Sequence, residues 1–159
     1  MRIEIVHASK YGNGEQVAKE LQRILTAKGI QGEVHHIHEV KAQDLPKADL
    51  HVFISPTRIG KPPGSVRRYL GKVQLPSGTR YALIATHGAP QPDKKTGRMP
   101  TEEEMAKWQR TLPILDEMLK SKGLVKVADL IVFVTDLKGP LEEGWQAKVS
   151  AFADRLLQP

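Results

Sequence analysis

Ala8-Ser9-Lys10-Tyr11-Gly12-Asn13-Gly14-Glu15-Gln16-Val17-Ala18 stands between a short apolar run and an amphipathic one. Before it, Ile3, Ile5 and Val6 form a β-branched run that predicts a strand. After it, Val17, Ala18, Leu21, Ile24 and Leu25 recur at helical spacing and predict one apolar stripe. The connection is small and polar, with two glycines. Such a turn lets backbone amides approach an anion that a Cβ would hold away. A helix starting at Asn13 would aim its unpaired N–H groups and positive dipole end at the same place. The stretch therefore predicts a phosphate cradle. It lacks the Gly-Lys-Ser/Thr of a nucleotide triphosphate loop and the Gly-x-Gly-x-x-Gly of dinucleotide folds, so a single phosphate fits best.

Strand and helix signals alternate outward from this loop. Further strands are expected at Glu33–Glu39, Leu50–Ile54, Tyr81–Ala85 and Leu130–Val134. The last three are near-continuous apolar runs, as expected for strands covered on both faces. Pro62-Pro63 is expected to open a short helix carrying Val66, Tyr69 and Leu70. Met105, Trp108, Leu112, Leu115 and Leu119 follow a helical period that Pro113 interrupts, which predicts a kink or two helices. Leu141, Trp145, Val149, Phe152 and Leu156 mark a last helix. The order β-α-β-α-β predicts an α/β fold with a doubly wound, five-stranded parallel sheet and helices on both faces.

The 159 residues suit one domain spanning 1–159. With 40% hydrophobic and 26% charged residues, the composition is that of a soluble globular protein. The absence of cysteine excludes disulfides, thiol chemistry and cysteine-ligated metals, and a cytoplasmic location is expected. No leader and no apolar run of membrane-spanning length is expected. The formal charge of +6 points to an acidic partner, an anionic ligand or peripheral contact with an anionic membrane surface. The lysines and arginines are scattered, without a nucleic-acid-binding motif, so nucleic acid is not an expected partner.

In a doubly wound sheet the ligand sits beyond the carboxyl ends of the strands. Three loops meet there: Ala8–Gly14, Ser55-Pro56-Thr57-Arg58-Ile59-Gly60-Lys61-Pro62 and Thr86-His87-Gly88-Ala89-Pro90. All are rich in Ser, Thr, Gly and Pro. His35-His36-x-His38 is an incomplete set for a metal, and none is expected. Thr101-Glu102-Glu103-Glu104 reads as a capped, acid-rich helix start. Gly64-Ser65 does not make a nucleophile elbow, and His7-Ala8-Ser9 stands where a receiver domain carries acids, so no catalytic residues are assigned. Gly88–Pro100 has no periodicity and is expected to be a long mobile connection beside the ligand.

These residues resemble flavodoxin, specifically the small flavodoxin-like proteins of prokaryotes, over essentially the whole chain. Ser9-x-x-Gly12-Asn13-Gly14 resembles the phosphate loop of that family. Ala48-Asp49 with Ser55-Pro56-Thr57-Arg58-x-Gly60 resembles its second loop, and Thr86-His87-Gly88 stands in the place of the third. The resemblance implies strand order 2-1-3-4-5 and FMN as cofactor. It implies cofactor contacts from Ser9, Lys10, Tyr11, Gly12, Asn13 and Gly14 around the phosphate. Ser55, Pro56, Thr57, Arg58, Ile59 and Gly60 would lie along the ring, and Thr86, His87 and Gly88 would close the pyrimidine side. An electron-transfer protein serving a redox protein partner is the implied function.

The chain departs from the family in three ways. Gly14 replaces a usual hydroxyl residue, Arg58, Ile59 and His87 replace stacking aromatics, and the net charge is positive. Weaker stacking is expected unless Tyr11 or Trp108 covers the ring, and helical spacing assigns Trp108 to the core. Lys10, Arg58 and Lys61 near the rim favour the reduced, anionic flavin, so a higher potential than in acidic flavodoxins is expected. Two other readings stay open. One is an FMN-dependent oxidoreductase acting on a quinone-like acceptor or NAD(P)H, as in protoporphyrinogen-oxidase-like proteins. The other is a flavodoxin-fold interaction module without flavin.

Overall fold

A computed structural model describes residues 1–159. Five strands, β1 (Arg2–His7), β2 (Gln31–His36), β3 (Leu50–Pro56), β4 (Arg80–Gly88) and β5 (Val125–Val134), form one sheet. All neighbours are parallel and the order is β2-β1-β3-β4-β5. There are five α-helices: α1 (Asn13–Ala27), α2 (Gly64–Gly71), α3 (Glu102–Trp108), α4 (Thr111–Lys120) and α5 (Trp145–Leu156); β2 joins β3 without one, and α5 follows β5. The expected doubly wound sheet and its order are what the chain adopts.

Strand alternation divides the core between the two faces of the sheet. On one face Ile3, Ile5, Val52, Ile54 and Ile84 pack against the apolar stripes of α1 and α5. On the other, Val6, Phe53, Tyr81 and Leu83 meet Val66 and Leu70 of α2 and Leu115 and Leu119 of α4. The Tyr81 hydroxyl donates to the Asp116 carboxylate of α4, which fixes that helix along β4.

Element bounds differ from the sequence expectation where hydrogen bonds, not hydropathy, decide. β2 begins at Gln31, whose N–H donates to the Met1 carbonyl at 3.2 Å, and ends at His36. There the Glu39 N–H turns back to the His36 carbonyl at 2.8 Å, so His38 lies in a turn. β3 runs on through Ser55 and Pro56, paired with Ala85 and Thr86. Thr86, His87 and Gly88 are the end of β4 and not a loop, since β5 pairs with them through Val132, Phe133 and Val134. β5 starts at Val125 and is an edge strand, partly exposed along much of its length, in place of the doubly covered strand expected.

The prolines act outside the helical interiors. Pro63 caps α2 from outside, its carbonyl accepting from Val66 and Arg67, so Pro62-Pro63 precedes the helix. Helices α3 and α4 are separate, but the break falls at Gln109-Arg110. Pro113 sits in the first turn of α4, where its missing N–H has no intrahelical acceptor to serve. Leu141 lies before α5 and bridges to Val134. Trp108 does not join the core: it ends α3 and is 61% exposed.

Candidate functional site

A cavity of about 660 Å³ opens beyond the carboxyl ends of the strands. It is lined by Ser9, Lys10, Tyr11, Asn13 and Gly14 of the first loop and α1, by Pro56, Thr57 and Arg58 after β3, and by Thr86, His87 and Gly88 of β4. Ile59 and Gly60 instead line an adjoining cavity of about 550 Å³, with Met105, Trp108 and Gln109. The two cavities share Thr57, His87, Gly88, Ala89 and Gln91. Gly12 and Ser55 line neither. Gly12 caps α1 with φ +94°, and the Ser55 hydroxyl donates to the Pro56 carbonyl at 2.8 Å. Val134, Thr135, Asp136 and Leu137 complete the wall and are absent from the sequence expectation. Topology alone would have found them, because the loop after β5 leaves the same edge of a parallel sheet.

The first loop is held by its own residues and by two histidines. Ser9 Oγ accepts the Gly12 N–H at 2.9 Å. The Ser9 N–H donates to His7 Nδ1 at 3.2 Å, and the Ser9 carbonyl lies 3.1 Å from His36 Nε2. His36 Nδ1 accepts the His38 N–H at 3.1 Å, so the ring proton is on Nε2 and bonds the Ser9 carbonyl. Burial, with His36 beside it, holds the His7 pKa below its ordinary value and suits the acceptor role of Nδ1. His35 turns to the other side, with Nε2 3.1 Å from Glu4 Oε2. The three histidines thus have separate structural tasks.

The first bonded amide of α1 is Gln16, which donates to the Gly12 carbonyl at 3.0 Å. The N–H groups of Asn13, Gly14 and Glu15 precede it without intrahelical acceptors and give the cavity a donor-rich, positive end. The Asn13 side chain points elsewhere: its Nδ2 donates to the Lys138 carbonyl at 3.3 Å and ties α1 to the loop after β5.

After β3 the chain makes a tight turn. The Arg58 N–H donates to the Lys61 carbonyl at 2.7 Å, and the Lys61 N–H returns to the Arg58 carbonyl at 3.1 Å. Both central residues have positive φ, +51° at Ile59 and +73° at Gly60. For a β-branched residue such as Ile59 this is a strained conformation. The α3–α4 junction holds the turn in place: the Gly60 carbonyl accepts the Arg110 N–H at 2.6 Å, and the hydroxyls of Thr57 and Thr111 are 2.8 Å apart.

His87 lies at the meeting point of both cavities. Burial, reinforced by Lys148, pushes its pKa down to about 4, so the imidazole is neutral at pH 7. Its buried Nδ1 has no hydrogen-bond partner in the protein. An unpartnered buried nitrogen at one end, free amides at the other and cations between them fit a long molecule with an anionic head and a polar ring. FMN is such a molecule.

The sequence model of the flavodoxin family matches residues 5–88, which carry the first loop, the second loop and the end of β4. The chain belongs to the flavodoxin family. Flavodoxins bind FMN and transfer electrons to redox partners, and these are the cofactor and function of this chain. Among solved structures it is similar to a short-chain flavodoxin associated with a non-canonical PDU bacterial microcompartment, at 24% identity and TM-score 0.70, over 99% of this chain and 97% of that one. It is similar to flavodoxin 1 of Bacillus cereus at 20% identity and TM-score 0.69, with coverage of 99% and 97%. Two-electron reduced Megasphaera elsdenii flavodoxin follows at 17% and 0.68, covering 97% and 98%. No curated protein sequence matches the chain.

When bound, FMN supplies the redox chemistry, and the protein supplies binding and electrostatics. The amides of Asn13, Gly14 and Glu15 would hold its phosphate, with Ser9 keeping the loop closed at Gly12. Thr57 and Arg58 would border the ring on one side and Thr86 to Gly88 on the other. Neutral His87 can exchange a hydrogen bond with the ring through Nδ1 without adding charge. The positive charge at the rim comes from Lys10, Arg58 and Lys138.

Proposed function

We propose that this chain, as a single domain over residues 1–159, is a cytoplasmic electron carrier that holds FMN non-covalently in the cavity described above. The observation that carries the reading is the convergence of Ser9–Tyr11, Asn13, Gly14, Pro56–Arg58 and Thr86–Gly88 on one 660 Å³ space whose helix end offers free amides. No helix is long and apolar enough to cross a membrane. Lys10 and Arg58 at the rim favour the reduced, anionic flavin. A one-electron potential rises by about 59 mV for each 1.4 kcal/mol of such preference. The flavin is therefore set for a higher potential than in an acidic flavodoxin. The test is titration of FMN with flavin-free protein, followed by flavin fluorescence, beside riboflavin. Saturable FMN binding with much weaker riboflavin binding supports the cradle; equal affinities, or none, would refute it.

A second reading draws on the adjoining 550 Å³ cavity, walled by Met105 and Trp108. It is an FMN-dependent oxidoreductase taking a quinone-like acceptor there. Steady turnover of a quinone with NAD(P)H by the FMN-loaded protein would support it, and the absence of turnover would leave the carrier.

A further inference from the structure

Seven large apolar side chains are exposed, and four of them line the two joined cavities: Tyr11 (50%), Ile59 (81%), Trp108 (61%) and Leu137 (84%). Exposed apolar groups gathered at one mouth mark an interaction surface, whereas scattered ones do not.

Around that mouth the loops carry Lys10, Arg58, Lys61 and Lys138 against Asp136 and Glu104. From residue 50 to residue 92 the sequence has no aspartate or glutamate. Of its six cations, Arg58 and Lys61 stand in the turn at the mouth and Arg67 and Arg68 on α2, while Lys72 and Arg80 lie toward the opposite end of the sheet, where β4 begins. None of these six cations is in an ion pair. Lys10 and Lys138 flank Tyr11, each ammonium 5.4 Å from its ring centre, and are also without a carboxylate partner. At the far end of α1 the pattern is different, for Arg23 pairs with Glu20 and Lys28 with Asp154. Four cations without a carboxylate partner, Lys10, Arg58, Lys61 and Lys138, thus stand on the loops at the cavity face.

We propose that this face is the docking surface for an acidic electron-transfer protein, a reading that rests on the carrier function proposed above. An apolar centre with a charged rim is the usual anatomy of a specific interface. Unpaired rim cations steer an acidic partner and raise its association rate. A bilayer fits less well. Glu104 lines the second cavity and is paired with Arg98, but Glu102 and Glu103 beside it and Asp136 in the wall of the first cavity have no cation partner and would be repelled by anionic lipid. A folded partner can complement both signs.

The test is an NMR shift titration of the labelled chain, FMN-loaded and FMN-free, at low and high salt. The probes are an acidic plant-type [2Fe–2S] ferredoxin, basic cytochrome c and phosphatidylserine vesicles. The expected result is shifts around Tyr11, Ile59, Trp108 and Leu137 with ferredoxin alone, lost at high salt. K61E/R67E should weaken ferredoxin binding at least about tenfold, while R23E/K28E, with the same change in net charge, should alter it less than about twofold. Binding of cytochrome c or vesicles in its place, equal effects of the two variants, or no ferredoxin shifts would each overturn the proposal. Ferredoxin shifts retained by a chain that takes up no FMN would sink the carrier reading and leave the surface standing.

Discussion

Gly60 and Trp108 are in backbone contact: a methyl group built on Gly60 would overlap the Trp108 carbonyl oxygen. The same glycine has φ +73° and accepts the Arg110 N–H. The α3–α4 junction therefore sets the position of the turn that would border the flavin. Gly60→Ala combines an unfavourable φ with a clash against backbone, which cannot move aside as a flexible side chain can. A stability loss of about 1–3 kcal/mol is expected, with weaker FMN binding. Urea unfolding of the flavin-free protein checks the first effect. An unchanged midpoint would show that the junction yields without cost.

Gly14 leaves room for the hydroxyl that most flavodoxins have at this place. A Cβ there would meet the Ser9 Cβ at 3.4 Å and the Ile54 Cγ2 at 3.5 Å, both ordinary contacts, and the backbone is helical. Gly14→Ser adds a hydroxyl donor beside the phosphate amides and removes the flexibility of a helical glycine. FMN should bind about three- to tenfold more tightly, from a net hydrogen bond of about 0.5–1.5 kcal/mol. Riboflavin, without the phosphate, should gain little. Parallel fluorescence titrations compare the two. An equal gain for both flavins would place the new hydroxyl away from the phosphate.

Most of the fold was legible because parallel strands and amphipathic helices imprint their periods on apolar residues. Ile3 to Val6, the α1 stripe and the runs of β3 and β4 needed no tertiary knowledge. The cavity was legible for a related reason, since topology sends Ser9–Gly14 and Pro56–Arg58 to one rim. What escaped depends on hydrogen bonds and long-range packing. Thr86 to Gly88 look like a loop in composition and are strand only because β5 extends alongside them. Trp108 carries a core residue's spacing, yet α3 has no buried residue and lays its last turn against Gly60. The wall formed by Thr135 to Leu137 carried no motif at all.

Stability should fall on mild acidification through the buried histidines. Burial lowers the pKa of His7, His51 and His87, the last to about 4. A base whose pKa is lower in the folded state binds more protons when unfolded. Its stabilising contribution is complete above the unfolded value of about 6.5 and is lost as pH falls toward the folded value. The shifted carboxylates, Glu15, Glu20, Asp93 and Asp116, are all lowered and act mainly below that window. Urea midpoints of the flavin-free protein should therefore drop between about pH 6.5 and 5, by at most about 2 kcal/mol for each histidine. His87→Phe should flatten part of that slope. A slope identical to that of the unsubstituted protein would show that His87 does not contribute.

Asn13 joins α1 to the loop after β5, and its substitution by aspartate tests the cradle by charge. The change replaces the Nδ2 donor to the Lys138 carbonyl with a carboxylate oxygen and places a negative charge at the helix end. An anion at a helix N-terminus stabilises the flavin-free helix by about 0.3–1 kcal/mol, while it opposes a phosphate at the same end. The two effects have opposite signs in two measurements. FMN affinity should fall at least about tenfold, that is by about 1.4 kcal/mol, and riboflavin affinity should change far less. Raising the salt concentration should recover part of the FMN loss, because screening weakens the repulsion between exposed charges. If riboflavin affinity fell as far as that of FMN, the damage would lie in the displaced Lys138 loop, and the phosphate would have to be sought away from the start of α1.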